Sequence, residues 1–270
     1  MKNILALIMI SFTLSGCIEL NTKININQDG SGTVEETVLM SKEMINMLNE
    51  FMTGFAGDTA KPEEFKLYKE EDLKVRTAEM GEGVKFISGS EIKTENKEGY
   101  KVVYSFTDIN KLKIDQSPDS KIPDDGSGID VNEKKYVTFN FTKGNVSEVH
   151  IKMPDVKKDE DEDEIESDTE TESDSLFEKN LAEMKFLMKD LSVSLSVYVN
   201  GEITETNALH QEGSSVTLFS LNFGELLNNT EKLKELSKIN PNDIKELNEV
   251  VKDIPGVKID INDPVVIKFR

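Results

Sequence analysis

The sequence predicts an α+β fold in which hairpins form an antiparallel sheet, helices pack on one face, and further helices and a strand pair follow at the C-terminal end. Three observations support this prediction. Short runs alternate between apolar and polar side chains along much of the chain. Turn-forming Asn, Asp and Gly separate several of these runs, which indicates hairpins. Apolar residues at helical spacing occur in only a few segments, so helices are the minority.

The first predicted hairpin begins directly after Cys17, the only cysteine of the chain. Apolar and polar residues alternate over 18–26, and the sequence NQDGSG at 27–32 supplies a tight turn whose glycines tolerate positive φ. A second alternating run follows over 33–40. We therefore expect two antiparallel strands, the first of which starts at the cysteine without a spacer.

A helix is predicted to follow this hairpin. Ser41 suits its N-cap, and Gly54 and Gly57 end the helical pattern. The apolar residues at helical spacing are Met44, Ile45, Leu48, Phe51, Met52 and Phe55. Ordinary packing against the sheet accounts for such a face. Methionine side chains also adapt to greasy ligands. If the helix encloses an apolar cavity, we expect Met44, Leu48 and Phe51 to line it.

The middle of the chain is predicted to contain short helices and further hairpins. The predicted elements are helices at 62–69 and 72–80, strands at 84–94 and 100–106 joined by a turn over Asn96 to Gly99, a loop at 115–133, and a strand pair at 137–141 and 149–153.

An acidic segment interrupts these elements and dominates the charge. Residues 159–174 contain eleven carboxylates and no Lys or Arg, in a chain of net charge −20. We predict a disordered linker over 155–175, because such a segment buries too little apolar area to order itself. Weak attraction of divalent cations or of a basic partner is the alternative. The acidic balance argues against nucleic acid as a partner and against docking on anionic lipids.

The C-terminal part is predicted to complete the same domain. We expect the α+β domain to comprise 17–154 and 176–270, with a separate subdomain possible from 224 onward. The predicted elements are a helix at 177–188, strands at 193–199 and 216–223, a helix at 224–237, a helix capped by Asn240 with Pro241 in its first turn, and a strand pair at 257–261 and 265–269.

The N-terminus has the features of an export signal over 1–16. Lys2 provides a short positive region, and the apolar stretch 4–14 is too short to span a bilayer. The sequence Leu14-Ser15-Gly16-Cys17 resembles the lipobox of bacterial lipoproteins. This resemblance implies a diacylglyceryl thioether on Cys17, cleavage before it, and acylation, with palmitate for example, of the new N-terminus. Stable anchoring needs at least two acyl chains, which this chemistry supplies.

Several longer stretches occur in an order that resembles the LppM-like group of bacterial envelope lipoproteins. They are CIELNTKININQDGSGTVEETVLMSKEM, GYKVVYSFTDINKL and LSVSLSVYVNGEITETNALHQEGSSVTLFSLNF, within about residues 17–223. The resemblance implies an α+β domain of the kind likened to lipid-transfer folds and an association with envelope lipids. It assigns no ligand-contact residue. Members carry a C-terminal membrane helix, whereas 224–270 here predicts amphipathic helices and strands, and the acidic insert is a second departure.

Catalytic and metal-binding patterns are not evident in the sequence. The two histidines, His150 and His210, have no Ser or Cys motif around them, and nucleophilic catalysis needs a base beside its nucleophile. Zinc sites want clustered His and Cys, and the acidic loop at 124–132 lacks EF-hand spacing. Trp is absent, so no sugar-binding platform is obvious. We therefore expect no enzyme activity, no cofactor and no metal.

The sequence thus predicts a lipid-anchored, non-enzymatic envelope lipoprotein that binds a lipid or other hydrophobic ligand. The alternative is a structural subunit that docks another envelope protein through a sheet edge or the acidic segment. The expected partners are the membrane, through acyl chains on Cys17, and one of these ligands or proteins. Because Ile18 rather than Asp follows the cysteine, we expect the outer membrane in a host with two membranes, and otherwise the outer face of the single membrane.

Overall fold

The chain folds into two β-sheets with short helices at their ends. The computed structural model describes residues 18–55, 65–115, 136–154, 191–236, 238–239 and 244–270. The predicted signal at 1–16, Cys17, most of the 115–133 loop, the acidic linker and the 177–188 helix lie outside these residues. The predicted α+β class is confirmed, but the described strands divide between two sheets rather than one.

The described strands and helices are numbered along the chain. The strands are β1 (Ile18–Ile26), β2 (Gly32–Ser41), β3 (Lys85–Lys93), β4 (Lys97–Phe106), β5 (Lys113–Asp115), β6 (Tyr136–Thr142), β7 (Ser147–Lys152), β8 (Ser192–Val199), β9 (Ile203–Thr206), β10 (Gln211–Glu212), β11 (Ser215–Asn222), β12 (Val257–Ile259) and β13 (Val265–Phe269). The helices are α1 (Lys42–Phe55), α2 (Glu70–Val75), α3 (Thr77–Met80), α4 (Phe223–Asn228), α5 (Thr230–Leu236) and α6 (Ile244–Val251), with a 3-10 turn at Ile109–Lys111.

Strand β1 is central to the larger sheet, whose order is β10-β11-β8-β1-β2-β4-β3, with β12 paired to β11. The predicted β1–β2 hairpin is confirmed, with Ile18 opposite Met40 and Ile26 opposite Gly32. On its other side β1 pairs in parallel with β8, which lies far along the chain, and this pairing was not predicted. Parallel neighbours need a long crossover connection, and here the crossover contains β2 to β7.

The smaller sheet has the order β5-β6-β7-β13-β9 and is antiparallel throughout. The predicted hairpin formed by β6 and β7 is confirmed. The predicted pairing of the last two strands with each other is wrong. Strand β12 pairs with β11 in the larger sheet, while β13 lies between β7 and β9 in the smaller one. Periodicity located both strands, but their partners are fixed by contacts distant in sequence.

Side chains from both sheets share one buried apolar cluster. Residues of even number in β1, β2 and β4 face this cluster, and the alternate residues are more exposed. At the β1–β2 turn, Gly30 has φ of +84° and lies against the ring of Phe141, where an added Cβ would approach the ring to 2.7 Å. Phe141 in turn packs against Phe269, with ring centroids 6.3 Å apart. The turn of the larger sheet therefore needs glycine to meet the smaller sheet.

Three local predictions differ from the structure. Residues 65–69 are not helical, because Phe65 and Leu67 are buried while Lys66 between them is exposed, a period of two. The β3–β4 turn spans Thr94 to Lys97 and not residues 96–99. The Thr94 amide donates to the Lys97 carbonyl, and the Lys97 amide donates to Thr94 Oγ1. The helices predicted at 72–80 and 224–237 are each broken into two short helices.

Truncation of a core leucine should show how much the larger sheet depends on β8. Leu195 is fully buried in β8, whereas Leu209 is 49% exposed. We expect Leu195→Ala to lower the free energy of unfolding by roughly 2–5 kcal/mol, since it leaves a cavity. Leu209→Ala is the matched control and should change it by less than about 0.5 kcal/mol. Urea denaturation measures both, and equal losses would contradict the described position of β8.

Candidate functional site

One end of the larger sheet adjoins the predicted lipidation residue; we call it the proximal end, the end at which β1 begins. Cys17 itself lies just outside the described residues. Ile18 is the first described residue and is only 3% exposed. The register places Met40, Ser192 and Asn222 at the same end, because Ile18 pairs with Met40, Glu19 with Ser192, and Ser192 with Asn222. A group attached at residue 17 therefore has no spacer from the fold.

Helix α1 leaves the sheet at this proximal end. The predicted N-cap is confirmed, since Ser41 Oγ accepts a hydrogen bond from the Met44 amide at 3.2 Å. Met44 is buried and Leu48 is half-buried, and both pack in the main apolar cluster. Asn49 Oδ1 accepts from the Phe65 amide at 2.7 Å, which ties the helix to the following segment. Phe51 is in the helix, but its side chain lies outside the described part of the structure.

The two described candidates for ligand contact therefore share the core-facing side of α1. Met44 and Leu48 are one turn apart, and residues at this spacing lie above one another on a helix. That they contact a ligand stays a prediction.

A buried ion pair forms a second polar site, on the core face of the larger sheet. Glu36 is 1% exposed, and its Oε2 lies 2.8 Å from Nη2 of Arg76. Arg76 Nη1 donates to the hydroxyl of Tyr100 at 3.1 Å. The hydroxyl of Tyr104 donates to the carbonyl of Leu73 at 3.2 Å. Polar contacts thus join α2 and the residue after it to β2 and β4.

The electrostatics of this site fix its charge state. Burial raises the pKa of Tyr100 and that of Tyr104 above the usual value for a phenol. Burial is the largest single influence on Arg76 and acts to lower its pKa, but the Glu36 carboxylate together with Tyr100 and Tyr104 brings the net pKa above its ordinary value. The guanidinium is therefore permanently charged, which suits a structural ion pair and not proton transfer.

Sequence reasoning missed this pair, although a signal was present. Glu36 has the same parity as Val34 and Val38, so the strand pattern already placed a carboxylate among core positions. Arg76 is one of only two arginines in the chain. A buried charge is paired or hydrogen-bonded in nearly every case, so a cationic partner for Glu36 could have been predicted.

A small recess lies beside Arg76, between that residue, Glu79, Lys113 and Tyr136. Its volume is about 20 Å³, which is room for roughly one water molecule. Its lining contains both acidic and basic side chains. The recess is too small for an acyl chain.

The two histidines occupy unrelated positions. His150 Nε2 lies 2.5 Å from Glu148 Oε1 on β7, and His210 Nε2 lies 3.2 Å from the carbonyl of Ile259. Among the residues that the structure describes, no group of three His, Cys, Asp or Glu side chains is placed to hold a metal ion. Within the same residues, no helix is long and apolar enough to cross a membrane.

A solved structure is weakly similar to this chain. No family model and no curated protein matches the chain. The folded domain of LppM from Mycobacterium tuberculosis, determined by NMR, is similar at 11% sequence identity, covering 95% of this chain and 91% of that one, with a TM-score of 0.34. The resemblance inferred from the sequence is therefore matched by a weak structural similarity. This similarity carries no argument about function.

Loss of the buried ion pair should destabilise the fold strongly. We expect Arg76→Met to lower the free energy of unfolding by roughly 3–5 kcal/mol, because it leaves the buried Glu36 carboxylate without its cation. The control is Arg270→Met, since the Arg270 side chain is 64% exposed and pairs with an exposed Glu202; its effect should stay below about 1 kcal/mol. Urea denaturation measures both. The double variant Glu36→Leu with Arg76→Met should recover much of the loss, and a double variant no better than Arg76→Met contradicts the pairing.

Proposed function

We propose that the protein is a lipid-anchored, non-enzymatic lipoprotein of a bacterial cell envelope that binds a lipid or other hydrophobic ligand. One observation carries the proposal. The lipobox-like Leu14-Ser15-Gly16-Cys17 is followed at once by a central strand of the fold, beginning at Ile18. Cleavage before Cys17 therefore removes no described residue. Acyl chains on Cys17 would be joined directly to the proximal end of the larger sheet.

This junction sets the distance between the bilayer and the ligand site that we propose. Consecutive Cα atoms are about 3.8 Å apart, so the acylated residue and Ile18 are immediate neighbours. Helix α1 begins one residue after β2 ends, at the same end of the sheet. A ligand leaving the bilayer would then reach α1 with little travel. In a host with two membranes we propose the outer one.

The proposed ligand contacts are Met44, Leu48 and Phe51. Met44 and Leu48 already face the apolar cluster, as a lining for a hydrophobic ligand requires. Methionine adapts its shape to irregular apolar surfaces at small cost. No titrating or nucleophilic group is part of this proposal, because a hydrophobic ligand needs apolar surface rather than chemistry.

An interaction subunit is the second candidate, and the edge of the larger sheet favours it. Strand β3 has nine residues and, among the described strands, pairs only with β4. An exposed edge of that length can accept a strand from a partner. The register shift between Phe86 and Ser88, together with Lys85 and Lys93 near the strand ends, opposes such pairing. For this reason we place ligand binding first.

Lipid attachment is tested by substitution of the cysteine. We expect Cys17→Ser to abolish labelling by a fatty-acid analogue in growing cells and to block the cleavage that depends on lipidation. The readouts are label and mass of the purified protein. The matched control is Ser15→Ala, which keeps the cysteine and should keep the label. Label that persists on the Cys17→Ser protein overturns the lipoprotein proposal.

Ligand binding is tested by enlarging a side chain on the core side of α1. Leu48→Trp should fill a ligand cavity, so that co-purified lipid is lost in native mass spectrometry while the melting temperature changes little. In a closely packed core the same change overpacks and costs about 1–3 kcal/mol. Met47→Trp is the control, because Met47 is 43% exposed on the same helix. Marked destabilisation by Leu48→Trp without any lipid in the parent protein favours the interaction subunit.

A further inference from the structure

The C-terminal helices have an apolar core of their own. We define the C-terminal lobe as the described residues 224–236, 238–239 and 244–259, which contain α5, α6, β12 and all of α4 except its first residue. Val251, Ile254 and Val257 are buried together, and they form a cluster distinct from the main core. The residues packed around them are Leu221, Leu226, Leu236 and Ile259. Four of the seven residues belong to the helices and to the loop after α6, so most of this core is internal to the lobe.

The lobe is joined to the larger sheet by a few contacts of Asn222 and of β12 with β11, which we call the stem. The Asn222 amide donates to the Gly256 carbonyl at 3.1 Å, and Asn222 Oδ1 caps α4 by accepting from the Glu225 amide at 3.1 Å. Gly256 has φ of +74°, and an added Cβ there would lie 3.0 Å from Asn222 Cβ. Beyond this contact, β12 pairs with β11 over three residues, and the Ile259 carbonyl lies 3.2 Å from His210 Nε2. The stem thus depends on few hydrogen bonds.

A separate group of hydrogen bonds fixes the chain at Asp260, directly after the lobe. Asp260 is buried, and its carboxylate accepts hydrogen bonds from the Leu209 amide at 2.8 Å and from the Asn262 amide at 3.0 Å. Its own amide donates to the Leu218 carbonyl at 2.8 Å. These contacts do not involve β12 or the helices. They fix the chain just before β13, the strand that enters the smaller sheet.

Two ion pairs of the lobe join neighbouring residues of the chain. Lys232 and Glu235 lie 3.0 Å apart within α5, and Lys252, the residue after α6, lies 2.5 Å from Glu249 in that helix. All four side chains are substantially exposed, so these pairs support their own helices weakly and do not bind the lobe to the sheet.

From these contacts we propose that the C-terminal lobe opens as a unit between Asn222 and Asp260 while both sheets stay intact, and that this opening admits the hydrophobic ligand. Segments with a small separate core and few hydrogen bonds to their neighbours open below the free energy of global unfolding. Opening removes β12 from β11 and uncovers the flank of Phe219, which packs on the main core. The register places the stem at the proximal end, beside the predicted anchor. That the ligand enters through the opened lobe rests on the proposed function, whereas the opening of the lobe does not.

Hydrogen exchange of the lipidated, full-length protein in detergent tests the opening. Val251 in the lobe and Val149 in β7 are both buried, and each is changed to Ala in a separate variant. We expect Val251→Ala to accelerate exchange across the amides of 224–259 on the order of tenfold, with β1 and β8 unchanged. Val149→Ala, the matched control, should accelerate exchange in both sheets. If Val251→Ala accelerates β1 and β8 as much as the lobe, the lobe unfolds only with the whole protein and the proposal is overturned.

A disulfide across the stem tests the ligand route. Ser220 and Lys258 are directly opposite on β11 and β12, as a cross-strand disulfide requires. The sole native cysteine is the predicted lipid acceptor, so the double variant S220C/K258C has one new thiol pair. We expect its oxidised form to slow uptake of pyrenedodecanoic acid from phosphatidylcholine vesicles roughly tenfold or more, and reductant to restore the rate. The control pair T37C/K101C joins β2 to β4 and should leave uptake unchanged.

The outcomes separate this inference from the proposed function. Uptake that is equally fast with the stem closed by the disulfide overturns the route, even if the parent protein binds the probe. Absence of uptake in every form, the parent included, overturns both ligand binding and the route. In that case the exchange rates of Val251→Ala still decide whether the lobe opens.

Discussion

The parallel pairing of β1 with β8 is the contact on which the rest of the fold depends. It joins the first described strand to a strand 173 positions further along the chain, and it places β1 between β2 and β8. Both sheets are then built from both parts of the chain, since β13 and β9 also complete the sheet that β5, β6 and β7 begin. Pairing over such sequence distances costs loop-closure entropy, which the shared apolar cluster of the two sheets must offset.

Two buried carboxylates, those of Glu36 and Asp260, each fix the position of one chain segment on the sheets. Glu36 receives the Arg76 guanidinium and thereby fixes the segment 70–80 on the larger sheet, where Leu73 and Met80 are buried. Asp260 receives backbone amides and fixes the point at which the chain passes from one sheet to the other. A slip by one residue already turns the apolar side chains of a strand to the other face, and a buried carboxylate adds a cost in any register that leaves it unsatisfied.

Sequence reasoning succeeded where the pattern is local. The strands β1, β2, β6, β7, β8 and β11 were located because each buries alternate side chains, and the Ser41 cap was located because it bonds a residue three positions away. Partner choice was not predictable, since β12 and β13 look alike in sequence and belong to different sheets. At the candidate site, Cys17 follows from its neighbours in sequence, whereas the Glu36–Arg76 pair joins residues forty positions apart. Only the unexplained carboxylate at a core position could have indicated it.

The register gives the proximal end a special place in the molecule. The start of β1 and the ends of β2 and β11 lie there together, and α1 and α4 leave the sheet from those two strand ends. Three chain segments that depart from the larger sheet, one toward Cys17 and two helical, are therefore gathered beside one another. If Cys17 carries lipid, the membrane adjoins the end of the sheet where the C-terminal lobe has its stem. The opposite end, where Gly30 meets Phe141, is closed by sheet-to-sheet packing. An anchor without a spacer would thus direct the end that carries α1 and the C-terminal lobe to the bilayer, and the end where the turn of one sheet packs on the other sheet away from it.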